Sequence, residues 1–242
     1  MTDAAFFSVR GVVKRFDGLV AVDDVSFDVR RGEIVSIIGP NGAGKTTLFN
    51  LLTGQLRPNA GEVSLNGQMI NGLRPDERAR LGLGRTFQIA KPLAALTALE
   101  NAMVGAFLHH PGLRTAEEKA RAVLDEVGLS ARAHLRAAEL TLSERRRLEV
   151  ARALALEPHI ILLDEVMAGL NPSEVGEAIT LFRRLNQGGL TFLIIEHNLK
   201  VVRAFSERVI VLDHGAKIAE GNADQILNTP EVVRAYLGRR RA

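Results

Sequence analysis

The chain has 242 residues, 46% hydrophobic and 24% charged, which suits a packed core in one domain or two close subdomains. Its 31 basic and 28 acidic side chains leave a net charge of only +3, so no nucleic-acid partner is expected. The lack of cysteine excludes disulfides and thiolate metal sites and fits a reducing compartment. The first ten residues show no basic-then-apolar secretory pattern, and no run approaches the roughly 18 apolar residues of a membrane span. A role at a membrane therefore has to come through a partner.

Residues 6–15 and 25–31 loosely alternate β-branched or aromatic side chains with polar ones and read as antiparallel strands. Phe16 lies between them, followed by the turn pair Asp17-Gly18. Residues 34–38 form a continuous apolar run, the pattern of a buried strand. It leads into Gly39-Pro40-Asn41-Gly42-Ala43-Gly44-Lys45-Thr46-Thr47, which fits G-x-x-x-x-G-K-[ST] at every position. Residues 48–53 then read as a helix that Gly54 can end. This strand–loop–helix context is that of a phosphate-binding loop. Its glycines let successive backbone N–H groups turn toward an anion. Lys45 can reach the β- and γ-phosphates, and the Thr46 hydroxyl can ligate Mg²⁺. The helix N-terminus adds unpaired donors and the positive end of its dipole. The ligand implied is a nucleoside triphosphate.

Residues 61–65 read as another strand, ending in a turn at Asn66-Gly67. The middle of the chain then changes character. Thr97-x-x-Glu100 and Thr115-x-x-Glu118 both fit capping boxes. Leu99, Met103 and Phe107 follow the first at helical spacing. Ala120, Leu124 and Val127 follow the second, with Gly128 placed to close the helix. A helical insert is expected over about residues 93–138, serving as ordinary core or as a docking surface. Farther on, residues 160–163 are a short apolar run, as in a buried parallel strand. Asn171-Pro172 signals a helix start, with Val175, Ile179 and Phe182 as its stripe and Gly188-Gly189 as its end. Residues 190–195 and 209–212 read as further strands and residues 200–205 as a short helix. The fold class expected is α/β, a mostly parallel sheet covered on both faces. Arg239, Arg240 and Arg241 read as a solvated tail, with a lipid-surface role as the alternative.

Phosphoryl transfer also needs a metal holder, a water activator and a γ-phosphate sensor. Asp164 ends the 160–163 run, where open α/β sheets place ligand-facing residues, and its carboxylate can orient Mg²⁺. Glu165, next to it, suits a base that polarises the attacking water. His197 follows the 190–195 strand in the same topological manner and can hydrogen-bond the γ-phosphate or the water. The amide of Gln88, in Arg85-Thr86-Phe87-Gln88, can reach metal or water and report nucleotide state to the insert.

The order of these motifs over nearly the whole chain resembles the ATP-binding cassette of ABC transporters. The resemblance implies one cassette over residues 1–242. Its ATP-binding core would comprise about 1–92 and 156–242, with an antiparallel β region, and its helical subdomain about 93–155. It implies that Phe16 stacks on adenine and that Gln88 faces a membrane partner. Asp164 resembles the metal-site aspartate, Glu165 the catalytic glutamate and His197 the switch histidine. The helical insert then resembles the part that docks on a transmembrane subunit. The family's Leu-Ser-Gly-Gly-Gln signature has its counterpart in Leu140-Thr141-Leu142-Ser143-Glu144, followed by the family's Ala151-Arg152-Ala153-Leu154. Thr141, Leu142, Ser143 and Glu144 would then meet the ATP of a second subunit. Ser143 stands where the family has glycine, and a serine forced to positive φ there would cost about 1 kcal/mol. Asn171 replaces an aspartate common in the loop it occupies. Residues 12–27, 85–92 and 165–172 are similar to importers of the branched-chain amino acid type, and related urea and amide importers share much of this. The resemblance therefore implies ATP and Mg²⁺, a second ATP-binding subunit (identical or a paralogue) and transmembrane permease subunits. It also implies, indirectly, a solute-binding protein. The place implied is the cytoplasmic face of the membrane, held there by the permeases. A soluble regulator of this class, not coupled to transport, and a small-molecule kinase are the other readings.

Overall fold

The structure, a computed structural model, describes residues 5–86 and 92–237; Gln88 and the tail arginines lie outside the described residues. In chain order the elements begin with β1 (Phe7–Phe16), β2 (Leu19–Val29), β3 (Ile34–Ile38), α1 (Lys45–Leu52), β4 (Ala60–Leu65) and β5 (Gln68–Met69). Next come α2 (Pro75–Arg80), β6 (Leu83–Arg85), α3 (Ala98–Ala106), α4 (Leu113–Glu126), α5 (Leu142–Leu154) and β7 (Ile160–Asp164). Then follow α6 (Pro172–Gln187), β8 (Thr191–Ile195), α7 (Leu199–Phe205), β9 (Arg208–Asp213), β10 (Ala216–Gly221), α8 (Ala223–Ile226) and α9 (Pro230–Leu237). The chain divides into two compact units, Met1–Arg78 with Asn186–Ala242, and Ala79–Leu185.

In the first unit β1 pairs antiparallel with β2 and β4, and β4 with β5. The β1–β2 hairpin turns at Asp17, whose φ of 46° a short polar side chain tolerates. Strand β2 starts at Leu19, six residues before the sequence pattern suggests. Pairing of Phe16 with Leu19 and Arg15 with Val20 extends it, not burial. Asn66 and Gly67 both have positive φ, as a two-residue hairpin turn of the primed type needs. All five residues of β3 are buried between parallel neighbours β8 and β9, and β10 joins β9 antiparallel. The uninterrupted apolar runs of β3 and β8 are what strands covered on both faces require. Strand β10 has no such run; every residue in it is half-buried, which hid it from the sequence pattern.

Arg78 is the unexpected member of this core, only 1% exposed. Its Nη1 donates to the Leu51 and Leu52 carbonyls at 2.8 and 2.7 Å. Nε donates to the Leu73 carbonyl at 3.1 Å and Nη2 to the Asn71 carbonyl at 3.3 Å. Leu51 and Leu52 end α1, where carbonyls lack helical partners and a cation meets the negative dipole end. Burial pushes the guanidinium down to about 10, which leaves it charged at neutral pH.

In the second unit β6 and β7 form a parallel pair, Arg85 opposite Leu162. Helix α3 starts at the expected box: the Thr97 hydroxyl accepts the Glu100 N–H at 3.1 Å and the Glu100 carboxylate accepts the Thr97 N–H at 2.7 Å. Of the expected stripe, only Met103 is buried. Ala98, Ala102, Gly105 and Ala106 are buried, whereas Phe107 is exposed and Leu99 half-buried. The reason is close helix packing: a Cβ on Gly105 would stand 2.6 Å from the Arg152 carbonyl oxygen on α5, so the small face turns inward. The second expected box does not form. Helix α4 starts at Leu113 behind an extended Gly112, and the Thr115 hydroxyl donates to the Gly112 carbonyl at 2.9 Å instead of capping. Glu118 pairs with Arg114. The Ala120, Leu124 and Val127 face is buried as expected, and Gly128 closes the helix with a φ of 72°. Asn171 caps α6, its Oδ1 accepting the Glu174 N–H at 3.0 Å. On α6 Phe182 is buried, with Val175 and Ile179 half-buried.

Replacing Arg78 by alanine removes its bonds to two carbonyls at the end of α1 and to those of Asn71 and Leu73. Arg78→Ala is expected to lower stability by about 3 kcal/mol, which thermal melting would register as a fall of several degrees. An unchanged melting temperature would show that the buried guanidinium contributes nothing.

Candidate functional site

The phosphate loop runs from the buried end of β3 into α1. Gly39, Gly42 and Gly44 take φ values of 154°, 80° and 95°, which favour glycine. At two of them space is also closed: a Cβ on Gly39 would lie 2.2 Å from the Leu212 carbonyl oxygen of β9. One on Gly44 would lie 2.3 Å from the Ala21 carbonyl oxygen of β2. Gly42 has nothing within 4 Å. Ala43 is buried and its carbonyl accepts the Gly215 N–H, while Asn41 is exposed. Helix α1 begins at Lys45, three residues before the sequence pattern suggests. Gly44, the N-cap, makes no side-chain bond to the first turn, and that turn holds no acid. The unpaired N–H groups and the positive dipole end are thus kept for an anion. Lys45 is buried with its ammonium on the Gly39 and Pro40 carbonyls, at 2.7 and 3.0 Å. Thr46 is exposed and Thr47 half-buried in the first turn.

Two more residues of the first unit bear on the same loop. Phe16 is 41% exposed at the tip of the β1–β2 hairpin, and the Lys14 ammonium lies over its ring, 5.1 Å from the centroid. That hairpin returns along β2, whose Ala21 abuts Gly44. An exposed aromatic face with a cation on it suits a purine. Residue 197 follows β8, where Ile195 lies opposite Ile37 in parallel register. His197 therefore emerges at the same end of the sheet as Gly39, and it is exposed. Asn198 caps the helix behind it, accepting the Lys200 N–H at 3.1 Å.

In the second unit Asp164 ends β7 and is buried. Its carboxylate is held by the Arg85 guanidinium at 3.3 Å, and its N–H donates to the Thr86 hydroxyl at 3.4 Å. Burial pushes Arg85 down and Asp164 pulls it back up, with burial the larger effect. Sequence reasoning gave Arg85 no role. An arginine within a short strand must find a buried acid, and that rule was the available signal. Glu165 has a φ of 49°, a left-handed backbone unusual for glutamate. Its side chain is half-buried, directly after the strand end.

The tip of α5 is built by a full capping box. The Thr141 hydroxyl accepts the Glu144 N–H at 3.2 Å, and the Glu144 carboxylate accepts the Thr141 N–H at 2.9 Å. Arg132 Nε adds a bond to Glu144 at 2.8 Å. The Thr141 amide holds this carboxylate below the usual range, burial opposes it, and Arg132 adds to the lowering. Thr141 and Leu142 are exposed, whereas Ser143 is buried. The expected strain at Ser143 is absent: it lies inside α5, in a helix and not at positive φ, so glycine is not required there.

Among the described residues no three acidic or histidine side chains gather into a metal cluster. The exposed Thr46 hydroxyl of the first unit and, separately, the Asp164 carboxylate of the second are each hard oxygen donors, the chemistry that suits Mg²⁺, which takes most of its ligands from phosphate and water.

A profile of the family described as ABC transporter matches residues 22–168. The high-affinity branched-chain amino acid transport ATP-binding protein LivG of Escherichia coli (strain K12) is 42% identical over 247 residues, spanning 96% of this chain and 97% of LivG. The ADP conformation of an ATP-binding cassette of an ABC transporter has a TM-score of 0.89 at 33% identity, over 97% of this chain and 99% of that one. A dimeric post-hydrolysis cassette bound to ADP and Pi has a TM-score of 0.81 at 29% identity, over 90% and 98%.

The three loop glycines should differ on substitution. Gly39→Ala and Gly44→Ala drive a methyl group into backbone oxygens and are expected to abolish nucleotide binding and lower the melting temperature. Gly42→Ala meets only the φ penalty, about 1 kcal/mol, and should keep measurable binding. Equal loss in all three, followed by equilibrium dialysis with labelled ATP, would show that space at Gly39 and Gly44 decides nothing.

Proposed function

The chain belongs to the ABC transporter family, and from that premise we propose that it binds and hydrolyses ATP to power an importer of branched-chain amino acids. The loop geometry carries the ATP reading: an uncapped, acid-free helix start behind a strained glycine turn, with a buried lysine inside it. The solute reading rests on the likeness to LivG over nearly its full length.

Each residue has a task in this proposal. The exposed ring of Phe16 stacks on adenine. Gly39, Asn41, Gly42, Ala43 and Gly44 present backbone donors to the phosphates, with Lys45 adding charge and Thr47 a further first-turn donor. Thr46 and Asp164 hold Mg²⁺, which when bound offsets charge on the phosphate oxygens, and Gln88 is the third oxygen ligand proposed. Glu165 accepts a proton from the attacking water. His197 hydrogen-bonds the γ-phosphate. The α5 tip, Thr141 to Glu144, meets the phosphate of a second ATP-binding subunit. Exposure of Thr141 and Leu142 supports that reading, as does the dimeric relative.

No helix among the described residues is long and apolar enough to cross a membrane. We propose that permease subunits hold the chain at the inner face of the membrane, docked on the helical subdomain of about residues 93–155. Leu93, Val104, Phe107 and Leu113 are all exposed there, large apolar groups that an unpartnered surface has little reason to keep. A solute-binding protein completes the system indirectly.

Glu165→Gln should retain ATP affinity while hydrolysis falls by about a hundredfold or more, read by phosphate release, and an ATP-held dimer should accumulate in size-exclusion chromatography. Ordinary turnover in that variant would remove Glu165 from its role. Lys45→Ala should lose nucleotide binding altogether. Paired Val104→Asp and Phe107→Asp changes should leave ATP binding intact and prevent co-purification with membrane subunits. Intact co-purification would move the docking surface elsewhere.

A further inference from the structure

Within the second unit a cleft of about 610 Å³ opens between the end of α4, helix α5, the segment after β7 and helix α6. That is the size of a small-molecule site. Its apolar wall includes Val127, Val150, Val166, Leu181 and Phe182. The phosphate loop, Phe16 and His197 all belong to the first unit, so this cleft is no part of the nucleotide-binding surface they form.

The charges on the same lining are unevenly committed. Arg146 lies 3.8 Å from Glu149, Glu174 accepts the Asn171 N–H at 2.9 Å, and Arg184 donates to the Glu126 carbonyl. Arg147 is placed otherwise. It is half-buried, its Nε is buried without a hydrogen-bond partner, and it joins no ion pair among the described residues. The carboxylates of Glu126 and Glu177 also line the cleft, and neither joins an ion pair among the described residues. One cleft thus holds a cation and two acids that do not neutralise one another, beside an apolar wall. An aliphatic acid would satisfy Arg147 and be repelled by the carboxylates, and an aliphatic amine would do the reverse. A molecule that carries both charges next to an apolar body matches the whole lining.

We infer that this cleft binds a free amino acid with a large apolar side chain. Its carboxylate meets Arg147, its ammonium meets Glu126 and Glu177, and its side chain lies on Val127, Val150, Val166, Leu181 and Phe182. The class coincides with that of the solute proposed above, yet the inference rests on this lining alone and stands apart from the ATP reading. Ser143 of the α5 tip lines the cleft too, and Val166 directly follows Glu165. An occupant therefore touches both elements that the second unit brings to the proposed chemistry.

The test titrates the full chain with three probes by calorimetry: leucine, 4-methylpentanoate, which lacks the ammonium, and 3-methylbutylamine, which lacks the carboxylate. The wild type should bind leucine saturably, and each truncated probe about tenfold more weakly. Arg147→Gln should weaken leucine about tenfold without weakening 3-methylbutylamine. The double change Glu126→Gln and Glu177→Gln should weaken leucine without weakening 4-methylpentanoate. Melting and binding of labelled ATP check that each variant keeps its fold. No saturable leucine binding by the wild type up to roughly 10 mM would overturn the inference. Leucine bound equally by the wild type and both variants would also overturn it, as an adventitious additive only. A variant that weakened all three probes alike would reduce these charges to packing and overturn it as well. Selective leucine binding by a chain that bound no ATP would uphold the cleft and sink only the reading of the phosphate loop.

Discussion

A loop that aims backbone N–H groups at a phosphate must lay the other side of its backbone against the protein. Here that packing is so close that Gly39 backs onto the Leu212 carbonyl and Gly44 onto the Ala21 carbonyl, with no room for a Cβ at either. The loop is therefore clamped between β9 and β2, two strands remote in sequence. The clamp explains why the β1–β2 hairpin belongs to the site at all. Its return strand supports Gly44, and its tip carries the exposed Phe16. The Gly215 N–H, donating to the Ala43 carbonyl, closes the same arrangement from the β9–β10 turn. A glycine in this loop is a packing residue first and a flexible one second.

Charge is handled in two ways, one in each unit. Arg78 is buried with four carbonyls and tied to the far end of α1, so the helix that presents its positive end to phosphate has a cation fixed at its negative end. Arg85 is buried against Asp164, the carboxylate proposed to hold the metal. An ion pair out of water needs good geometry to offset desolvation, and 3.3 Å to one oxygen is a modest contact. It holds the carboxylate in place at the end of β7. Neither arginine can be assigned from composition, because each is defined by what surrounds it.

That distinction also marks how far the amino-acid sequence could be read. Local signals held wherever one segment decides its own structure: the apolar runs of β3, β7 and β8, the Asn66-Gly67 turn, and the Thr97 and Thr141 boxes. They failed where a second segment decides. The small face of α3 is turned inward by contact with α5 at Gly105, against the larger stripe through Phe107. Thr115 fits the cap pattern, yet the helix starts two residues earlier and its hydroxyl becomes a donor. Strand β10 exists because β9 pairs with it, not because it is apolar. The site followed the same rule. Gly39 to Thr47, Asp164, Glu165 and His197 could be named from motif spacing alone. Arg85 and Arg78 could not, since their partners lie 79 and 27 positions away by the numbering and only folding selects them.

The α5 tip shows why departures from a familiar motif must be judged by conformation. A glycine is needed where φ is positive, and Ser143 sits in ordinary helix. The substitution therefore adds a hydroxyl without adding strain. The real electrostatic difficulty at this tip is Glu144, whose carboxylate stands where a phosphate of a neighbouring copy is proposed to approach. Two observations answer it. The carboxylate is committed to the Thr141 N–H, and Arg132 lies on its other side at 2.8 Å, leaving the pair close to neutral. The N–H groups of Leu142 and Ser143 have no acceptor within the helix. A capping box here orders the helix start with an acid, the arginine offsets that acid, and the donors between them keep their direction toward an anion. On this argument Arg132, twelve positions before Glu144 and outside every recognised motif, is the residue that makes a glutamate tolerable at a helix tip proposed to face phosphate.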